Sequence, residues 1–96
     1  MATFISLLSF TDQGIRSVKD SPKRADAVKA MAKKMGVTIK EMYWTLGHYD
    51  LVVVLEGDDE AVTSTLLKVG SLGNVRSETL RAFSAAEMGR ILANVS

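Results

Sequence analysis

Two apolar runs between Val37 and Leu55 meet at Gly47-His48-Tyr49-Asp50, the pattern of two strands joined through a turn. The second run, Leu51-Val52-Val53-Val54-Leu55, is continuously apolar instead of alternating, as a strand is when both of its faces leave water. Upstream, Thr3 to Phe10 sets Phe4, Leu8 and Phe10 on one side of a strand and Ile5 and Leu7 on the other, interrupted by Ser6 and Ser9. Thr11-Asp12-Gln13-Gly14 breaks that pattern, and Ile15 and Val18 suit a short helical turn. Ser21-Pro22 then starts a helix, because a hydroxyl can cap exposed N–H groups and proline suits the first helical position. Ala25, Val28, Ala32 and Met35 follow at helical spacing with Met31 beside them, while Lys23, Asp26, Lys29 and Lys33 mark the opposite face. Gly36 is expected to end this helix as a left-handed cap.

The pattern predicts strands over about Val37–Leu46 and Leu51–Glu56, the latter ended by Gly57-Asp58. Asp58 or Asp59 caps a second helix to about Val69, with Val62, Leu66 and Val69 facing inward, and Gly70 to Asn74 reads as a loop. Val75 to Phe83 is a fourth strand whose Arg76, Glu78 and Arg81 point to an edge position. Ser84-Ala85-Ala86-Glu87 is a capping box, followed by Met88, Ile91, Leu92 and Val95 on one helical face. The order strand, helix, strand, strand, helix, strand is the split βαβ, or ferredoxin-like, arrangement: an α+β fold with a four-stranded antiparallel sheet, helices on one face and an extra C-terminal helix. No linker or repeat divides residues 1–96, which read as a single domain. Helices of so small a domain cover one face of its sheet, so the other is expected to meet a second copy in a homodimer or higher homo-oligomer.

Composition narrows the function classes. Apolar residues at 47% and charged residues at 24% exclude a disordered chain, and a net charge of +1 disfavours broad capture of nucleic acid. The absence of cysteine excludes thiol chemistry, disulfides and Cys-based zinc sites. No apolar run approaches the roughly 20 residues that span a bilayer, and no basic leader precedes the first apolar residues, so a cytoplasmic protein without a membrane role is the expectation.

Candidate chemistry gathers at the turn. His48, Tyr49 and Asp50 offer an imidazole, a phenol and a carboxylate for proton transfer, although a turn alone also explains them: Gly47 for unusual backbone angles, Asp50 for local amides, Tyr49 against the sheet end. Tyr43 and Trp44 are strand neighbours and point to opposite faces, where each can pack in a core or interface or border a ligand. A ligand site would then draw on Tyr43, Trp44, His48 and Tyr49. No metal and no cofactor is expected, since one histidine makes no multi-His site and Glu56, Asp58, Asp59 and Glu60 lack calcium-loop spacing. Arg16, Lys19, Lys23, Arg24, Lys29, Lys33 and Lys34 read as a solvated helix face, interleaved with Asp20 and Asp26, rather than an anion site. Gly70-Ser71-Leu72-Gly73 follows a helix instead of opening one and is no phosphate loop.

The run from Tyr43 to Val53, taken with Gly70-Ser71-Leu72-Gly73-Asn74-Val75-Arg76 and with Glu78 to Phe83, resembles the GYD-domain family over nearly the whole chain. The Gly-Tyr-Asp signature is spelled here with His48 between Gly47 and Tyr49. The resemblance implies a ferredoxin-like fold of the dimeric α/β-barrel type, in which two sheets pack face to face. The same architecture hosts cofactor-free monooxygenases, isomerases, haem enzymes and the effector-binding domains of Lrp/AsnC-type regulators, so it selects no chemistry. The regulator domains share a Gly-and-Asp turn between their middle strands, but no helix-turn-helix is read in this chain. The expected function is therefore an oligomeric domain that holds a small metabolite in a cavity between sheet and helices or at a subunit interface. The alternatives are a cofactor-independent monooxygenase or isomerase using the residues of the turn, and a purely structural assembly protein.

Overall fold

In the computed structural model, which describes residues 1–95, the apolar runs form one sheet and the helical stripes pack on one side of it. The elements are β1 (Ala2–Phe10), α1 (Asp12–Arg16), a 3-10 turn (Val18–Asp20), α2 (Ser21–Lys34), β2 (Thr38–Trp44), β3 (Leu51–Gly57), α3 (Asp59–Ser71), β4 (Val75–Ala82) and α4 (Ala85–Leu92). The strands lie in the order β2-β3-β1-β4, every pair antiparallel, which is the ferredoxin-like order read from the sequence. The two strands that read as doubly apolar, β1 and β3, are central, and the charged β4 is an edge.

Register sorts the side chains into two layers. Phe4 faces Leu55 and Leu8 faces Leu51 across β1–β3, and Phe10 faces Val75 across β1–β4; this row lies beneath the helices. The alternate row, Ile5 with Val54 and Leu80, and Leu7 with Val52, lies on the face that no helix covers. Burial along β3 follows this alternation: Leu51, Val53, Leu55 and Gly57 are buried, while Val52, Val54 and Glu56 are half-buried. The core joins Leu8, Leu51, Val53 and Leu55 to Ala32 of α2, Val62 of α3 and Val37, the last with 1% of its surface exposed. Each full burial of such an aliphatic side chain contributes about 1.5–3 kcal/mol.

Several local readings change. Ser21 does not cap α2. It is the first residue of that helix, buried, and its hydroxyl accepts a hydrogen bond from Trp44 Nε1 at 2.9 Å, while Asp20 occupies the cap position without a side-chain bond. β2 is shorter than expected, because Val37 turns into the core ahead of it and Leu46 lies fully in solvent beyond it. A bulge between Ile39 and Glu41 shifts the β2–β3 register. α3 continues through Ser71 into the segment read as a loop. Gly36 adopts the left-handed angle expected of it, with φ of 83°. The capping box of α4 forms as read, Ser84 Oγ accepting from Glu87 N at 3.1 Å and Glu87 Oε1 from Ser84 N at 2.9 Å. That helix packs little on the rest of the chain, however, and Met88, Ile91, Leu92 and Val95 stay exposed.

Candidate functional site

Two features carry the functional groups: the loop between β2 and β3, and a cavity between the helices and the sheet. In the loop, Thr45 N donates to Asp50 O at 2.8 Å and Thr45 Oγ1 to Tyr49 O at 2.6 Å, with Gly47 at the bend with a φ of 106°. The Asp50 side chain does not bind amides of its own turn. Its Oδ2 accepts from Phe10 N at 2.7 Å and its N–H donates to Leu8 O at 2.8 Å, so the residue extends the β1–β3 ladder past its last paired residues. Tyr49 reaches across the sheet to β4, where its hydroxyl donates to Glu78 Oε2 at 2.7 Å. That bond, and the negative charge of Glu78, push the Tyr49 phenol above its ordinary value of 10.0. His48 stands exposed, its ring centroid 6.2 Å from that of Tyr49 and tilted by 50°.

The three residues of the turn thus lie side by side in sequence but engage different partners: Asp50 holds β1, Tyr49 holds β4 and His48 faces solvent. Tyr43 and Trp44 diverge as read. Trp44 turns to the helix side to meet Ser21, and Tyr43 lies on the open face, its hydroxyl donating to Glu41 Oε2 at 3.0 Å. The Glu41 bond and charge push the Tyr43 phenol up as well.

α2 and α3 share one face of the sheet with few contacts between them, and a cavity of about 350 Å³ is bordered by both helices and the sheet. Its floor is Leu8, Val53 and Leu55, and its walls include Val28, Met31 and Leu66. Few polar groups border it, and most are engaged: Ser6 Oγ pairs with Thr79 Oγ1 at 3.0 Å, Thr65 Oγ1 donates to Ala61 O at 2.8 Å, and Ser21 serves Trp44. Of Tyr43, Trp44, His48, Tyr49 and Asp50, none lines it; Trp44 touches it through Ser21.

The cavity also contains a residue that sequence reasoning placed elsewhere. Arg24 belongs to the series read as a solvated basic face, yet it is half-buried and borders the cavity, anchored by Nη1 to Ser17 O at 2.8 Å and Ser17 Oγ at 3.1 Å, and by Nη2 to Gly14 O at 3.3 Å. A signal was available: Arg24, Val28, Met31 and Met35 are spaced as one helical stripe, so the guanidinium sits at the end of the apolar face. The remaining lysines and Arg16 are exposed, as read.

This sheet order, with a Gly-x-Tyr-Asp turn at the end of its central strands, agrees with the match of a GYD domain model over residues 4–92, and the chain belongs to the GYD domain family. A Thermus thermophilus protein named glutamine synthetase and cystathionine beta-lyase binding protein is 36% identical over 90 residues, covering 92% of this chain and 95% of its own length. The crystal structure of TTHA0845 from Thermus thermophilus overlays with a TM-score of 0.57 and 27% identity, covering 88% of this chain and 96% of that one. A second crystal structure, of an FFRP, overlays with a TM-score of 0.58 over 86% of this chain and 100% of its own; at 23% identity it shows the fold alone.

Proposed function

We propose that this chain is a binding module that pairs with itself through the open face of its sheet and, so assembled, docks on enzymes of amino-acid metabolism. The observation that carries the docking reading is the 36% identity, spread over 92% of the chain, to a protein named for binding glutamine synthetase and cystathionine beta-lyase. Self-pairing is supported by the second layer of the sheet. Ile5, Leu7, Val52, Val54 and Leu80 form an apolar stripe on the open face, flanked by Glu41, Arg76 and Glu78, a mixed-charge rim suited to a two-fold contact. A catalytic reading has less support, because His48, Tyr49 and Asp50 lie away from the cavity in which a substrate would be shielded from water.

Sedimentation of the purified chain mixed with purified glutamine synthetase, and separately with cystathionine β-lyase, both from its own source organism, tests the docking. The chain is expected to move with at least one enzyme at micromolar concentration. If it sediments apart from both, the docking reading falls. The cavity supports a further role, the holding of a small metabolite between sheet and helices, since its volume of about 350 Å³ and apolar lining are those of a ligand pocket.

A further inference from the structure

We infer that the cavity between α2, α3 and the sheet takes a small carboxylic acid with an apolar body, its tail against Leu8, Val28 and Val53 and its carboxylate on Arg24. The inference rests on the small-metabolite reading of that cavity and names the class of ligand.

A cavity of about 350 Å³ has room for a compact molecule, and a lining dominated by aliphatic side chains and methionines selects an apolar body. The hydroxyls that border the cavity are largely engaged within the protein, Ser6 with Thr79, Thr65 with Ala61 and Ser21 as acceptor from Trp44. One charged group remains. A guanidinium has five N–H donors, and Arg24 spends three bonds on Ser17 and Gly14, which fix its orientation and leave donors over. All three acceptors are uncharged, and the single ion pair among the described residues is Lys40 with Glu56, so the positive charge of Arg24 has no carboxylate against it. A half-buried cation at the end of an apolar pocket favours an anion whose remainder is apolar.

Arg24 is not alone at that end. The Gly14 carbonyl that holds Nη2 belongs to a residue packed directly on the backbone of Asn74, and Asn74 borders the cavity as well. Its Oδ1 accepts from Gln13 Nε2 at 3.0 Å, which orients the amide and leaves its NH2 group available as a second donor. A carboxylate has two oxygens to satisfy, and a cavity bordered by both an arginine and an asparagine amide suits that demand better than it suits an alcohol's.

The lone tryptophan supplies the readout, since Trp44 donates to the cavity-lining Ser21. Trp44 fluorescence and calorimetry are followed while the full chain is titrated with octanoate and, separately, with 1-octanol. Octanoate is expected to saturate at a concentration about tenfold or more below that of octanol, the worth of a charge-assisted hydrogen bond. Arg24→Met is expected to erase that difference and leave octanol unchanged, and Val28→Phe, which fills the cavity from α2, to weaken both. Because Arg24→Met also releases Ser17 and Gly14, the comparison of the two probes on the unmodified chain decides if that variant does not fold. Equal binding of the two probes overturns the carboxylate assignment and leaves the small-metabolite reading standing. No response to either, by both methods, overturns the two together.

Discussion

Among the glycines, Gly14 has the closest backbone neighbour. A Cβ at this position would lie 2.0 Å from the carbonyl oxygen of Asn74, and backbone cannot yield as a side chain can. Gly14→Ala is expected to cost about 2–3 kcal/mol, read as a lower midpoint in urea unfolding with an unchanged slope. At Asp50 the argument is one of satisfaction. Asp50→Ala leaves the Phe10 N–H without its carboxylate and is expected to cost about 1–3 kcal/mol in the same assay, whereas Asp50→Asn, which keeps an acceptor oxygen, costs less. The tyrosines give a pH signature. Both phenols titrate above 10.0 because Glu41 and Glu78 favour their protonated forms, so the bonds add stability at neutral pH that is lost as pH rises past 10.0 and through the raised values. Glu78→Gln is expected to bring one tyrosinate absorbance step down toward 10.0 and leave the other in place. Only part of this was legible beforehand. That Tyr43 and Trp44 diverge follows from strand alternation, but Ser21, a plausible cap by its neighbours in sequence, was claimed by an indole 23 positions away.

Among the elements, α2, β2 and α3 depart from their sequence signals in capping, register or length where tertiary contacts intervene, whereas α4 matches its own signals with little packing around it. Its capping box, apolar stripe and boundaries are all local, and they form it. Nothing in that local pattern says what the apolar stripe packs against, and Met88, Ile91 and Leu92 are left exposed. Glu87 is held below its usual range chiefly by the Ser84 backbone N–H, then by the Ser84 hydroxyl. The sign follows: the box supports α4 at pH above 4.5 and is lost as pH falls through the lowered value. Ser84→Ala is expected to speed amide hydrogen exchange at Met88 to Leu92 at neutral pH and to leave β1 and β3 unaffected, since α4 has little packing to transmit the change. The end of α3 shows the complementary limit. Gly70 and Ser71 read as loop residues by propensity, yet the helix carries on through them, with Val69 buried beneath.

At the scale of the whole molecule, the chain is long and thin, 51 × 31 × 18 Å, with a radius of gyration of 14.6 Å. A compact domain of this length has about 12.5 Å. One sheet face and the apolar side of α4 are uncovered, which accounts for the shape and motivates self-association. Leu80 is 47% exposed on the open face beside Ile5, so its replacement leaves the core intact. Leu80→Arg is expected to shift the chain toward single protomers in sedimentation velocity, with an unchanged far-ultraviolet spectrum. A chain that sediments as a protomer at all concentrations before the substitution removes the basis for a paired sheet.

Strand and helix order, the α+β class, the central place of the doubly apolar strands and the caps at Gly36 and Ser84 are determined by the sequence itself, because periodicity and capping act between neighbours a few positions apart, while the choice of Asp58 over Asp59 as the cap of α3 came with the structure. Only the tertiary structure decided that Asp50 extends β1, that Tyr49 reaches β4 and that Ser21 meets Trp44, since each pairing joins residues 23 to 40 positions apart. It likewise decided that α2, α3 and the sheet border an apolar hollow that Arg24 also lines. Spacing along one helix states which side chains share a face, but the distance to the next helix is set by the packing of both on the sheet.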